Sequence, residues 1–323
     1  MDLSFFKGAA GTAAPGVPPL RDRTAMITLD EKKSKGIIWI ASYPRSGNTW
    51  MRAFINALFR NLRDPAATDV DINNIEEGGG VENAAALYPR FLGKPAFLAT
   101  PAEIAAARPW VQAALAESAG RPIYLKTHNA NGLDHGAPLI NKAASLGAVY
   151  VVRNPLDVAV SYARFSDGTL DKTIERMATS GWGIARSRVN GHDRVRVVMG
   201  SWSENVMSWT EPSHPAVLVV RYEDMVENPR RTFGTIARHL RTKPNRDQLA
   251  RAIAATSFDR LRAQEVAAGF AEKPEATGDL FFREGRVGQW RQSLSEDQVG
   301  RIVAGHRAMM KRFGYLPDGS PRA

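Results

Sequence analysis

The chain has 323 residues, of which 44% are hydrophobic and 24% are charged, and its formal net charge is +10. These proportions predict a folded globular protein and argue against intrinsic disorder. The sequence contains no cysteine, which excludes a disulfide framework, thiolate metal ligands and a cysteine nucleophile. The positive charge favours anionic partners such as nucleotides, although a well-solvated basic surface is the simpler interpretation of charge alone.

No targeting signal is recognisable in the sequence. No apolar run is long enough to cross a bilayer, and the N-terminus lacks the basic and apolar regions of a signal peptide. We therefore expect no membrane span and a cytoplasmic location, which also suits a chain without cysteine. Residues 1–34 predict a flexible N-terminal tail, and residues 35–318 are expected to form one domain without internal repeats.

From Gly36 onwards, short apolar runs alternate with segments that have helical spacing. The apolar runs predict buried strands at residues 37–41, 123–126, 148–152 and 216–222. Apolar periodicity and cap residues such as Thr100 and Ser295 predict helices at residues 49–63, 101–117, 155–165, 200–210, 225–240, 247–255 and 295–313. This alternation predicts a single α/β domain with a central, mainly parallel sheet flanked by helices. Ligands of such sheets bind beyond the carboxyl ends of the strands.

The turn after the first predicted strand has the composition of an anion-binding loop. Between Tyr43 and Trp50 it leads from a strand into a helix, and its glycine, Gly47, would let the backbone approach a phosphate. Arg45 supplies positive charge. Further donors are the side chains of Ser46, Asn48 and Thr49. The loop lacks the first glycine and the lysine of the Walker motif, which argues against ordinary ATP or GTP hydrolysis.

Four separated segments resemble motifs of the sulfotransferase family and follow one another in the family's order. Residues 43–50 resemble its 5′-phosphosulfate loop, Y-P-K-S-G-T-T-W, and residues 126–128 resemble its K-T-H segment. Residues 153–161 resemble its 3′-phosphate segment, R-N-x-x-D-x-x-x-S, and residues 283–290 resemble its C-terminal loop, R-K-G-x-x-G-x-W. One such match is weak evidence, but four in one order indicate the family. The resemblance spans residues 37–315 and implies a P-loop-like sulfotransferase fold.

The resemblance also implies a reaction. A sulfuryl group would pass from 3′-phosphoadenosine 5′-phosphosulfate to a hydroxyl or amine acceptor by in-line displacement, leaving 3′,5′-adenosine bisphosphate and requiring no metal. His128 would be the general base, with a pKa near neutrality, although a structural histidine at a strand end is the alternative. Arg45, Lys126 and Thr49 would stabilise charge on the leaving oxygen and on the sulfuryl oxygens.

The same resemblance assigns residues to the two ends of the donor. Arg153 and Ser161 would bind the 3′-phosphate, and the C-terminal loop would add Arg283 and Gly285. The adenine pocket would be formed by Trp50, Tyr222 and Phe258, with Thr256 at the edge of the base. Asn154 and Asp157 are instead explained by capping of the following helix.

Three regions are expected to enclose the acceptor, which would be a small molecule or a lipid or carbohydrate. Residues 64–122 and 163–199 would build its pocket, and residues 267–279 would form a lid loop. Several aromatic side chains in or next to these regions would hold a phenol or a lipid-like alcohol, or are ordinary core residues: Tyr88, Phe91, Phe97, Tyr162, Phe165 and Trp182. We expect no nucleic-acid partner, and the oligomeric state stays open because no dimerisation motif follows Trp290.

The sequence departs from the family pattern at two positions. Arginine replaces the family's loop lysine at position 45, which keeps the charge but changes the donor geometry. Glu284 stands where a cation is usual, which would weaken binding of the 3′-phosphate. Other functions to be weighed are a nucleotide-dependent kinase with an atypical phosphate loop, a non-catalytic nucleotide- or RNA-binding protein, and an inactive sulfotransferase-like scaffold.

Overall fold

The computed structural model describes residues 34–67, 69–75, 80–166, 168–189, 192–211, 213–273 and 280–319. The predicted N-terminal tail therefore lies outside the described residues except for Ser34, as do residues 274–279 of the predicted lid loop. None of the described helices is both long and apolar enough to span a membrane.

The strands of the described chain are short. In chain order they are β1 (Gly36–Ser42), β2 (Pro122–Thr127), β3 (Leu133–Asp134), β4 (Ala137–Pro138), β5 (Ser145–Val152), β6 (Gly183–Ile184), β7 (Ser187–Val189), β8 (His192–Arg194), β9 (Val197–Val198) and β10 (Val217–Arg221). Of these, β1, β2, β5 and β10 occupy the four predicted apolar runs, whereas the other six strands were not predicted. Within the described ranges, β10, β5, β1 and β2 form a sheet of parallel strands in that spatial order. The remaining strands pair antiparallel, β3 with β4, β6 with β9 and β7 with β8. The predicted α/β fold is confirmed.

The helices cover this sheet on both faces. They are α1 (Asn48–Arg63), α2 (Pro89–Leu92), α3 (Pro101–Ala119), α4 (Pro155–Phe165), α5 (Leu170–Ala178), α6 (Trp202–Thr210), α7 (Tyr222–Glu227), α8 (Pro229–His239), α9 (Arg246–Ala255), α10 (Phe258–Ala268) and α11 (Glu296–Phe313). The predicted capping boxes form at the starts of α3 and α11. The prediction of a single helix at residues 225–240 is wrong. The first helix ends before Asn228 and a second begins at Pro229, whose nitrogen has no hydrogen to donate to the preceding turn.

Alternate residues of the strands explain the two cores. Trp39 of β1 and Tyr150 of β5 point to the face covered by α4, α6 and α11, and both are fully buried. Ile40 and Val149 point to the opposite face, where they join Phe54 of α1 in a second core. Each large apolar side chain buried in this way stabilises the fold by about 1.5–3 kcal/mol, which accounts for the nearly uninterrupted apolar sequence of these strands.

The carboxyl ends of the parallel strands lie at one edge of the sheet. In the register, Ala41 is opposite Thr127, Ser42 is opposite Val151, and Arg221 is opposite Val152. The segments that follow the strands therefore start side by side. They begin at Tyr43, His128, Arg153 and Tyr222.

Candidate active site

The β1–α1 turn has the backbone of a tight anion-binding loop. Gly47 has a φ of 104°, a conformation that side chains rarely adopt, and a Cβ at this position would lie 2.7 Å from the Tyr222 ring. Helix α1 begins at the next residue, so its first backbone amides face the carboxyl edge of the sheet. Both the turn geometry and the packing of Tyr222 therefore require glycine here.

The polar side chains of this turn differ in their surroundings. The Asn48 amide is used inside the protein, since its Nδ2 donates to Ile40 O at 2.8 Å and its Oδ1 accepts from Arg52 Nε at 3.2 Å. Thr49 Oγ1 accepts from Arg52 Nη2 at 3.4 Å. The Ser46 hydroxyl is buried and has no hydrogen-bond partner among the described residues. An unpaired buried hydroxyl is unfavourable, and an oxygen of a bound phosphate would satisfy it.

The side chain of Arg45 extends from the turn to α4. Its Nε donates to Ser161 Oγ at 3.1 Å, and its guanidinium lies 4.7 Å from the ring centre of Phe165 and 4.1 Å from that of Phe281. Burial, followed by repulsion from Arg153, lowers the pKa of Arg45 to about 10, so it remains charged at neutral pH. These contacts bring Arg45 together with Ser161, the residue predicted for the 3′-phosphate.

Arg153 connects three parts of the site. Its Nη1 donates to Arg45 O at 3.0 Å, its Nη2 donates to Arg286 O at 3.4 Å, and its guanidinium stacks over the Tyr222 ring at 4.3 Å. Its Nε is buried without a partner among the described atoms. Like the Ser46 hydroxyl in the turn after β1, this unsatisfied N–H is a buried donor that a bound phosphate group would satisfy.

His128 follows β2 and is half-buried. Its Nδ1 is 2.8 Å from Ser42 O, and because a carbonyl only accepts, Nδ1 carries the hydrogen. Burial, followed by repulsion from Lys126, lowers the pKa of His128 to about 3. The imidazole is therefore neutral at pH 7 with its proton-accepting lone pair on Nε2, rather than near half-protonation as predicted.

Buried polar groups fix the backbone on either side of this imidazole. Asn205 Nδ2 donates to His128 O at 3.2 Å, and Asn129 Nδ2 donates to Glu82 Oε1 at 2.7 Å. Glu82 in turn accepts from Arg108 Nη1 at 3.1 Å, and the Glu82 and Arg108 side chains are 2% and 0% exposed. This network was not predicted from the sequence, because its members come from four separate segments.

The ammonium group of Lys126 is paired with a carboxylate. Its Nζ donates to Glu272 Oε2 at 2.9 Å, while Arg52 Nη2 donates to the other oxygen of the same carboxylate at 2.5 Å. Burial acts to raise the pKa of Glu272, but Arg52 and Lys126 outweigh it and hold the pKa far below the usual range. Neither Arg52 nor Glu272 was predicted as a site residue, although Glu272 falls in the predicted lid loop.

The residues predicted for the adenine pocket surround the start of α1. Trp50 Nε1 donates to Thr256 O at 2.8 Å, and the Trp50 ring meets the Tyr222 ring edge-on at 5.8 Å. The Thr256 hydroxyl donates to Ala252 O at 2.9 Å, so that hydroxyl is used within α9. Phe258 lies directly against Gly285 of the C-terminal loop.

The C-terminal loop is held to α4 by Asp157. This carboxylate accepts from Gly288 N at 2.7 Å and from Trp290 N at 3.0 Å, whereas Asn154 caps α4 as expected by accepting from Leu156 N at 3.0 Å. Asp157 thus does more than complete the first turn of its helix. Arg283 pairs with the neighbouring Glu284 at 2.8 Å, which places the unusual acid beside the predicted 3′-phosphate ligand.

Replacing Gly285 by alanine tests the packing of this loop. Gly285 has a φ of 62°, and an added Cβ would lie 2.3 Å from the Phe258 ring. Gly120, with a φ of 63° and no atom within 4 Å of such a Cβ, is the matched control. Both variants should lose about 1–2 kcal/mol to backbone strain, and Gly285→Ala should lose about 1–3 kcal/mol more to overpacking. Urea unfolding measures the difference, and equal losses would contradict it.

The aromatic side chains of the predicted acceptor regions have different environments. Tyr88 is fully buried and its hydroxyl donates to Glu82, so it belongs to the core. Tyr162 is buried edge-on against Tyr43. Phe165 flanks Arg45, whereas Phe97 is 64% exposed. The partly buried members are Phe91, Phe165 and Trp182.

No group of three or more histidine, aspartate and glutamate side chains suited to a metal ion occurs in the part of the chain that the structure describes.

The arrangement of elements is shared with solved structures. A mouse sulfotransferase, SULT7A1, complexed with PAP, superposes with a TM-score of 0.53 at 22% identity, covering 85% of each chain. Retinol dehydratase in complex with androsterone and the inactive cofactor PAP gives a TM-score of 0.55 at 19% identity, covering 85% of this chain and 80% of that one. At these identities the likeness concerns the fold.

Sequence comparison adds the family. Sulfotransferase 1A1 of Bos taurus is 25% identical over 273 residues, which cover 80% of this chain and 78% of that protein. The family model described as "Sulfotransferase domain" matches residues 35–314, nearly the whole described chain. The match includes the loop after β1, the turn carrying His128, the start of α4 and the C-terminal loop. The chain therefore belongs to the sulfotransferase family.

Proposed function

We propose that this protein transfers a sulfuryl group from 3′-phosphoadenosine 5′-phosphosulfate to a hydroxyl or amine of a small acceptor, with His128 as general base. The observation that carries the proposal is the Nδ1 hydrogen bond from His128 to Ser42 O, since it leaves Nε2 to accept a proton. The PAP bound to the structural neighbours supports the choice of donor.

The reaction balances without a further reagent. As the acceptor oxygen or nitrogen attacks sulfur, its proton passes to His128 Nε2. The new bond to sulfur forms while the bond between sulfur and the bridging oxygen breaks, and the electron pair stays on that oxygen. Lys126, Thr49 and the first amides of α1 would stabilise the growing negative charge. Arg45 contributes positive charge near Ser161, to whose Oγ it donates a hydrogen bond.

The end of the sulfuryl donor that carries the 3′-phosphate would bind between the turn after β1 and α4. Arg153 and Ser161 would hold the 3′-phosphate, and the buried Nε of Arg153 supplies an N–H for it. The Arg283–Glu284 pair reduces the net charge available from the C-terminal loop, so we assign the larger share of 3′-phosphate binding to Arg153. Trp50, Tyr222 and Phe258 would enclose the adenine.

We propose a small molecule with an apolar body as acceptor, bound between the regions 64–122 and 163–199. Support comes from androsterone in the complex of retinol dehydratase, a protein of the same fold. Lipids and carbohydrates are the further acceptor classes to test. The proposed location is cytoplasmic, where the nucleotide donor would be supplied.

Incubation with donor labelled with ³⁵S in the sulfuryl group tests the proposal. The acceptor panel contains phenols, apolar alcohols, amines, sugars and lipids, each assayed with and without EDTA. We expect labelled product from at least one class and no inhibition by EDTA, because protein cations stabilise the leaving charge. Clear inhibition by EDTA would contradict the metal-free mechanism, and transfer of phosphate from ATP would favour a kinase.

Replacing Arg153 by alanine tests the assignment of the 3′-phosphate. The variant should bind 3′,5′-adenosine bisphosphate at least roughly tenfold more weakly, since a charge-assisted hydrogen bond is lost. Binding of adenosine 5′-phosphate should change much less. Calorimetric titration with both nucleotides measures this, and equal losses would show that Arg153 only holds the loops together.

A further inference from the structure

The carboxylate of Glu272 bridges two cations, Arg52 and Lys126, of which Lys126 is assigned to the donor. Its two oxygens accept from Lys126 Nζ at 2.9 Å and from Arg52 Nη2 at 2.5 Å. The exposed fractions of the Lys126, Arg52 and Glu272 side chains are 21%, 5% and 23%, so water screens these contacts only partly. The bridge is therefore a strong pairing rather than a surface contact.

We propose that Glu272 is an internal anion that competes with the 5′ end of the donor for Lys126 and thereby sets the affinity of the site. The inference rests on the proposed function, which gives Lys126 to the sulfuryl and leaving oxygens. One ammonium has three hydrogens in a compact group, and a carboxylate already bound to it repels an arriving phosphosulfate. The donor must displace or weaken the contact with Glu272 before Lys126 can act.

The position of Glu272 in the chain allows such an exchange. It follows α10 and Phe270, whose ring packs against Phe281 and Phe282 at 4.8 and 5.3 Å. The backbone of the segment is anchored at Phe270 and at Ala271, whose N donates to Asn73 Oδ1 at 2.7 Å, so the exchange would require only rotation of the Glu272 side chain, which reaches Lys126 from 146 residues away. Lys126 itself sits in β2 and is fixed by the sheet. Of the two paired groups, the Lys126 ammonium belongs to a strand of the sheet and the Glu272 carboxylate does not.

Glu272→Gln removes the charge and keeps the side-chain shape. The variant should bind 3′,5′-adenosine bisphosphate and adenosine 5′-phosphate roughly tenfold more tightly, the scale of one charge-assisted hydrogen bond. Adenosine 3′-phosphate should bind with unchanged affinity, because its phosphate meets Arg153 and Ser161 instead. Calorimetric titration of the full chain with the three nucleotides measures each affinity.

Glu211→Gln is the matched control, since it changes the net charge equally and lies at the end of α6, paired with Arg312. A similar gain in this control would attribute the effect to overall charge and overturn the proposal. So would unchanged or weaker binding of adenosine 5′-phosphate by Glu272→Gln, which would make Glu272 a positioning residue for Lys126. Absence of bisphosphate binding by the unmodified protein would instead contradict the proposed function.

Discussion

Turnover by the His128→Ala variant should fall by roughly a hundred- to ten-thousandfold, the usual contribution of a general base. The affinity for 3′,5′-adenosine bisphosphate should stay within about twofold, because in the proposed mechanism the imidazole would contact the acceptor rather than either phosphate. Initial rates under saturating donor and calorimetric titration give the two quantities. His192→Ala is the control, since this histidine is exposed on β8. Near-normal turnover by His128→Ala would remove the general-base assignment.

The pH dependence of kcat/KM gives an independent test of the same residue. The pKa of His128 is lowered to about 3, below the ordinary value of 6.5. The neutral imidazole therefore persists as the pH falls through 6.5, and activity should be lost only near the lowered pKa. We expect no decline of kcat/KM with a pKa between 5 and 8 in the unmodified enzyme. A decline near 6.5 would show a solvated imidazole.

The second large effect is expected on stability, from the buried pair of Glu82 and Arg108. Glu82→Gln leaves the Arg108 guanidinium, which is 0% exposed, without its counter-charge. Removing one partner of such a pair costs about 3–5 kcal/mol. We therefore expect a correspondingly lower free energy of unfolding, measured with urea.

A double variant separates the lost charge pair from lost packing. Glu82→Gln combined with Arg108→Met removes both charges, so its unfolding free energy should exceed that of Glu82→Gln alone. A double variant less stable than the single one would contradict this account. Because Asn129 Nδ2 donates to Glu82, the single variant should also lose turnover through a displaced His128 turn.

Much of the site follows from local sequence signals. Apolar runs predicted each strand of the parallel sheet. The segments that follow these strands, which contain Gly47, His128 and Arg153, start side by side because parallel strands end at one edge. The residue types in these turns predicted an anion-binding loop and a general base, and both stay predictions. The helix of residues 225–240 was mispredicted because the apolar spacing continues across Asn228 and Pro229.

The missed residues depend on tertiary contacts that no spacing encodes. Glu272 reaches Lys126 across 146 positions, and Glu82 reaches Asn129 across 47. An acidic residue in a polar loop normally predicts solvent exposure, so nothing in the surrounding sequence indicates that Glu272 pairs with two cations or that Glu82 is buried against Arg108. The lowered pKa of His128 likewise arises from burial and from Lys126, which become visible only in the fold.

Arg153 donates hydrogen bonds to two backbone carbonyls, and this pair of contacts, here called the Arg153 clamp, limits how early in synthesis the site can fold. This residue joins Arg45 O, 108 positions earlier, to Arg286 O, 133 positions later. A chain emerging from the ribosome can pair β1 with β2 and β5 well before Arg286 is synthesised, but it cannot complete the clamp until then. Incompletely synthesised chains should therefore bind nucleotide only weakly. Contacts between residues so far apart in the sequence also favour slow folding.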